Sequence, residues 1–236
     1  EQIVHAGDDA KGVCPCCPTA ALLGADGTAY VAFRNVADGF RDIAIGVMKP
    51  GEAAYTRWNV VTPTWRFSGC PHDGPSLALV GETLHVVWMD GHSGSPRCYH
   101  ASAKIADMIF AVRELHPLAA GTQGNAKLFV DARGVLHAVW EESLGVEAAT
   151  GEAHRHEPPV PTPGIGGGRV VMHRVLHPNA SQFGPASPVA ARSGAFPMRP
   201  FVTGSANGDI IVGWNELDET GKSVVVRRLS LGEGTR

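Results

Sequence analysis

Neither sign of charge is in excess in this chain of 236 residues, where 20 Lys and Arg stand against 23 Asp and Glu for a net charge of −3. A broad basic face for nucleic acid is thereby excluded. No run approaches the ~18 apolar residues of a membrane helix, so no bilayer span is expected. Aromatic residues are scarce at 7%, and only three are tyrosines. Familiar catalytic loops are missing too: there is no Gly-x-Ser-x-Gly elbow, no P-loop and no dinucleotide fingerprint after a strand. Gly164-Ile-Gly-Gly-Gly168 lies in a Pro-rich stretch and reads as flexibility.

What is present points to strands and turns. Hydrophobic residues make up 44% of the chain, enough for a real core. Gly (29) and Pro (17) together supply about one residue in five, which favours many turns over long helices. Five cysteines, with Cys14, Cys16 and Cys17 crowded together, are unusual for a reduced cytosolic domain without a redox or metal task. The opening Glu1-Gln2-Ile3 lacks the basic and apolar regions of a signal peptide, as expected of a processed secreted chain or a trimmed one.

An internal repeat organises the sequence. Its members begin at Thr19, Gly74, Asn125 and Arg199, and each is a short apolar segment, a tight turn and an alternating segment closed by an aromatic. Asp26-Gly27, Arg133-Gly134 and Asn207-Gly208 sit where a two-residue hairpin needs positive φ, and Gly81-Glu82 is the weaker counterpart. The closing aromatics Phe33, Trp88, Trp140 and Trp214 are 55, 52 and 74 residues apart, leaving room for two further strands per unit. Segments 41–47 and 57–61, 98–103 and 110–115, 169–176, and 223–229 supply candidates. The pattern predicts an all-β fold, a β-propeller of four-stranded antiparallel blades, with the aromatics packing between blades. A single domain over 1–236 is expected. The longer third interval is a long exposed loop at 144–168, since the repeat resumes in phase after it.

Val13-Cys-Pro-Cys-Cys-Pro-Thr19, Phe33-Arg34, Arg41-Asp42-Ile43-Ala44 and Ser68-Gly-Cys-Pro-His-Asp-Gly-Pro75 resemble the sialidase-like BNR-repeat (Asp-box) propellers of bacteria. The resemblance implies export to the periplasm or the cell exterior, and an exo-α-sialidase label. Six blades are usual in that family, whereas four repeats are counted here. A fragment, a four-bladed ring, or a ring completed by missing N-terminal blades or a second chain all satisfy the count. The Asp-box pattern survives only as Gly51-Glu-Ala-Ala-Tyr-Thr-Arg-Trp58.

In a propeller, the loops leading into the innermost strands gather beside the axis. Here these are 14–18, 70–73, 123–125 and 197–199. Cys14, Cys16 and Cys17 are therefore expected near Cys70 and His72, with Met198 and Asn125 facing the same region. Thiolate, imidazole and thioether together suit copper as Cu(I), and Cys with His alone suits zinc. A disulfide from one of the first three cysteines to Cys70 is the alternative, and the two are compatible because one bridge leaves two clustered thiols. Cys98 is read as a buried free thiol, and His85 and His137, at equivalent repeat positions, as packing residues.

Sialidase chemistry would need arginines to grip a carboxylate, a Tyr nucleophile with a Glu partner, and a general acid. Arg34, Arg41, Asp42 and Asp73 are the catalytic candidates, while the three tyrosines make a Tyr/Glu pair hard to assemble. The sequence thus supports an exported propeller for binding or assembly with a Cys/His/Met-lined mouth. A sialidase-like glycoside hydrolase and a structural subunit of a larger complex are the alternatives.

Overall fold

Alternating side chains and glycine turns form fifteen strands in the computed structural model, which describes residues 1–8, 12–118, 121–143, 168–190, 194–205 and 208–229. The expected 144–168 loop, apart from Gly168, lies outside the described residues, as do His154, His156 and Asn207. Among the described residues there is no helix. Contacts divide the described residues into two compact units, Glu1–Leu115 and those from His116 onward, each described by itself.

In the first unit, β1 (Ala20–Leu23), β2 (Ala29–Arg34), β3 (Ile43–Met48) and β4 (Thr56–Asn59) form one sheet. β5 (Ser76–Val80), β6 (Thr83–Asp90), β7 (Arg97–Lys104) and β8 (Ala111–Glu114) form the next. Every pairing is antiparallel between chain neighbours, the order expected of a propeller blade. Gly27 (φ 83°) and Gly81 (φ 55°) take the left-handed conformation the inner hairpins require. One apolar core joins the two sheets: Tyr30, Ala32, Ile43 and Ile45 pack with Leu84, Val86, Trp88, Tyr99 and Ala101. Trp88 therefore packs between blades, as its place in the repeat predicts, and it stacks on Tyr99 at 5.8 Å between centroids.

The second unit repeats the plan. β9 (Thr122–Val130), β10 (Leu136–Ser143), β11 (Arg169–Leu176) and β12 (Ser187–Ala190) make a four-stranded sheet. β13 (Phe196–Gly204), β14 (Ile210–Asp218) and β15 (Gly221–Leu229) make a three-stranded one. Val139, Val171, Val189, Val212 and Trp214 form the core between them. The inner strands β9 and β13 each carry a register shift against their partners, opposite Val139/Glu141 and within Met198/Phe201. Asn125 (φ 52°) and Arg199 (φ 50°) hold left-handed backbones there, and His72 (φ 52°) does so before β5. Three of the four loops singled out by the repeat thus hold a left-handed non-glycine residue, while Asp38 and Met108 take the same conformation elsewhere.

Candidate functional site

The loop before β1 and the loop before β5 meet at four sulfur atoms. The Sγ atoms of Cys14, Cys16, Cys17 and Cys70 all lie within 4.8 Å of one another. Cys14 Sγ is 3.2 Å from Cys17, 3.6 Å from Cys16 and 3.6 Å from Cys70. Cys16 and Cys70 form a disulfide with their Cα atoms 6.6 Å apart, leaving Cys14 and Cys17 as buried free thiols. The expected bridge between the two loops is thus present, and so is the expected pair of clustered thiols beside it. Val36 closes the apolar side of the group.

Local backbone fit explains the meeting. Val13 bridges to Asn35, and the Cys14 amide donates to the Arg34 carbonyl at 3.0 Å, so the first loop is zipped onto the end of β2. Gly74 carries the second loop against it: a Cβ there would stand 1.8 Å from the Pro18 carbonyl oxygen, a clash with backbone that only glycine avoids. The Cys17 thiol is pushed up to about 11 by burial and its hydrogen bond with Cys14, against the opposing pull of the Arg34 charge and the Asp73 amide.

Arg34 is 1% exposed and belongs to the frame of this mouth. Its guanidinium donates to the Asp73 carbonyl (3.1 and 3.0 Å), the Arg41 carbonyl (2.6 Å) and the Met89 carbonyl (2.7 Å), tying the first blade to the second. It also lies over the Trp65 ring, 5.2 Å from the centroid. Arg41 donates from Nε to the Phe67 carbonyl at 3.1 Å. Both candidate arginines are thus engaged with main chain. Asp73 is buried beside Arg34, while His72 is exposed. The four-sulfur group consists of cysteines alone. Met198 is half-buried in β13 of the second unit, opposite Asn215. Cys98 is fully buried and lies outside the disulfide, in keeping with its strand context.

A second feature of the first unit is a cavity of about 190 Å³ lined by Asp8, Asn35, Phe40, Asp42, Arg57 and Asn59, among others. Its two carboxyl groups are driven in opposite directions. Burial raises Asp42, with the nearby Asp90 adding to the effect, although the Thr64 and Trp65 amides pull against it. For Asp8 burial also pulls upward, but hydrogen bonds from Asn35 and Arg57, and the charges of Arg57 and His5, hold the group below its ordinary value. Asn35 Nδ2 donates to Asp8 at 2.6 Å. Asn35 Oδ1 and Asp42 Oδ2 are buried without a hydrogen-bond partner, an arrangement that costs free energy until a donor arrives. Asp42 was a sequence candidate; Asp8, which lies in no motif, and Asn35 were missed.

In the second unit the corresponding region is acidic. Glu141 accepts from Asn125 Nδ2 (2.8 Å), Arg169 (2.9 Å) and the Arg199 amide (2.7 Å). Glu142 accepts from the Trp140 indole (3.0 Å), from Gln123 (3.0 Å) and faces His116 Nδ1 at 3.0 Å. Trp214 donates likewise to Glu216, 3.1 Å away. A polar residue two places after each closing aromatic (Asn35, Asp90, Glu142, Glu216) is the sequence signal that could have found Asn35, Glu142 and Glu216, and it went unread.

Neither a protein-family model nor a curated protein sequence matches the chain. Solved structures do. An α-L-arabinanase of Penicillium chrysogenum superposes with a TM-score of 0.57 at 12% identity, covering 100% of this chain and 72% of that one. An endo-arabinase of Bacteroides thetaiotaomicron gives 0.54 at 11% identity, over 89% of this chain and 73% of that one. An α-L-arabinofuranosidase of Podospora anserina gives 0.54 at 9% identity, over 100% and 70%. At such identities the likeness is one of fold, and the sheets of both units are blades of the β-propeller type.

Proposed function

We propose that this chain is a carbohydrate-active propeller of the glycoside hydrolase kind, exported to an oxidising compartment, with its reacting groups at the Asp8–Asp42 cavity. The observation that carries the reading is the pair of carboxyl groups lining one cavity whose environments push their proton affinities apart. Glycosidic cleavage needs one carboxylic acid that keeps its proton and one carboxylate that does not. Asp42, raised by burial, donates its proton to the leaving glycosidic oxygen. Asp8, held ionised by Arg57 and Asn35, activates water or stabilises the developing positive charge on the sugar. The partnerless Asn35 oxygen accepts a sugar hydroxyl, the donor most abundant on such a ligand, and the partnerless Asp42 Oδ2 is the oxygen that carries the proton. The arabinan-type hydrolases among the fold neighbours make pentose oligosaccharides the first substrates to test, with sialosides second. The Cys16–Cys70 disulfide supports the exported location.

The test is turnover of a panel of aryl glycosides, including α-L-arabinofuranoside and a sialoside, by the wild-type chain and by Asp42→Asn. That variant keeps an acceptor for the Thr64 amide and removes the acid. Turnover with a loss of about 10²–10⁴-fold in kcat is expected. Wild-type activity no higher than that of Asp42→Asn on every substrate would overturn the reading. Binding or assembly without turnover is the second reading, and the four-sulfur group favours it.

A further inference from the structure

We infer that Cys14, Cys16, Cys17 and Cys70 are a thiol–disulfide-gated metal centre, binding one divalent thiophilic cation of the Zn(II) type when the Cys16–Cys70 bond is reduced. The inference does not depend on the glycan reading, because none of the four ligand cysteines lines the cavity.

Four observations carry it. A structural disulfide needs two cysteines, yet four sulfurs from two separate loops converge here. Three of their six spacings approach those of a tetrahedral ion: with Zn–S bonds of about 2.3 Å the S···S edge is about 3.8 Å, and the Cys14 distances of 3.2–3.6 Å lie just inside it, while the Cys16–Cys70 edge opens to that length only on reduction. The frame is rigid, held by the Val13–Asn35 bridge and by the Gly74–Pro18 contact. A buried positive charge stands in the same joint, since the Arg34 guanidinium donates to the carbonyl of Asp73, three residues after Cys70. Four thiolates leave a net charge of −2 around a divalent ion and −3 around Cu(I), so the divalent cation suits the full set better. Tetrahedral coordination by four cysteines is the donor set of structural Zn(II) sites.

Gating follows from the disulfide. A dithiol reductant attacks the Cys16–Cys70 bond, passes through a mixed disulfide, and closes its own disulfide. Two electrons thereby move from the reductant to Cys16 and Cys70, which leave as thiols. The cation then forms four metal–sulfur bonds and displaces the four thiol protons to solvent, with no electron transferred. In the oxidised state only Cys14 and Cys17 remain, too few for a tetrahedral site.

The experiment uses the full chain, as purified and after dithiol reduction, titrated with Cd(II) and Zn(II). Cadmium–thiolate charge-transfer absorbance and elemental analysis after desalting are the readouts. One ion per reduced chain is expected, with affinity at least about 100-fold weaker in the oxidised chain. Gly74→Ala keeps every thiol but pushes the loops apart, and it should cost about 10–100-fold. Cys14→Ser should cost more, and Cys98→Ser, at a buried thiol outside the four-sulfur group, nothing. Should Cys14→Ser unfold, as circular dichroism would show, the oxidised and reduced wild-type chains still make the comparison without any substitution. No stoichiometric Cd(II) binding by the reduced chain, equal binding by the oxidised chain, or an equal loss in Cys98→Ser would overturn the inference.

Discussion

Arg34 and Glu141 occupy the same position in their respective blades, one residue after the aromatic that closes the second strand, and they do the same job with opposite charge. Arg34 reaches from the first blade to the carbonyl of Asp73 in the loop before β5. Glu141 reaches from the third blade to the amide of Arg199 in β13. One side chain donates to carbonyls and the other accepts from amide and guanidinium groups. The joint between neighbouring blades therefore demands a buried polar side chain with matched partners, while its sign is free. Cysteine is not interchangeable in this way. No cysteine stands at the joint of the second unit, since all five precede residue 116, and this separates the four-sulfur group from the repeated architecture around it.

The largest effect is expected at the arginine joint. Arg34→Met preserves most of the volume but orphans the carbonyls of Asp73, Arg41 and Met89, and it should cost about 3–5 kcal/mol in denaturant unfolding. A loss below ~1 kcal/mol would mean that the joint carries no weight. Glu141→Gln keeps one acceptor oxygen and removes the charge facing Arg169, so about 1–3 kcal/mol is expected by the same measurement. Equal losses for the two would show that sign and donor number do not matter.

The smallest effect tests what the two units share. His85 Nδ1 and His100 Nε2 lie 3.0 Å apart in the first, and His137 Nδ1 and His173 Nε2 lie 3.0 Å apart in the second, each pair stacked at 5.3 Å. Burial lowers His85 and His173 from 6.5 to about 4, with Lys104 adding to the first and His137 to the second. The unfolded chain takes up these protons first, so the stabilisation is complete above ~6.5 and declines as pH falls toward ~4. Between pH 7 and pH 5.5 the loss should be about 1 kcal/mol per histidine, read from the pH dependence of Tm. Replacing His85 and His100 with Phe and Leu should remove the share of the first unit and leave that of the second.

The hairpins were legible because period-two alternation and turn glycines are local signals, and β11 was read with its bounds intact. β12 was missed: Ser187-Pro-Val-Ala190 is four residues with a proline, tolerable only on a sheet edge and silent in a pattern search. The convergence of Cys14, Cys16 and Cys17 with Cys70 was legible through the repeat, which fixes neighbouring blades. The histidine partners were not. His100 and His173 meet His85 and His137 diagonally across strands paired as Val87–His100 and Val139–His173, and register of that kind is set by the folded sheets. Asp8 eluded the reading because its role depends on a fold-back of the chain's first residues onto Asn35 and Arg57.

The Cys16–Cys70 bond joins residues 54 positions apart and so sews two blades into one closed covalent loop. By chain-entropy arithmetic such a ring contributes about 4 kcal/mol. Material made in a reducing cytosol and material passed through an oxidising secretory route would then share a sequence but differ in covalent topology and mechanical strength. The choice of expression host consequently decides which of the two molecules an assay examines.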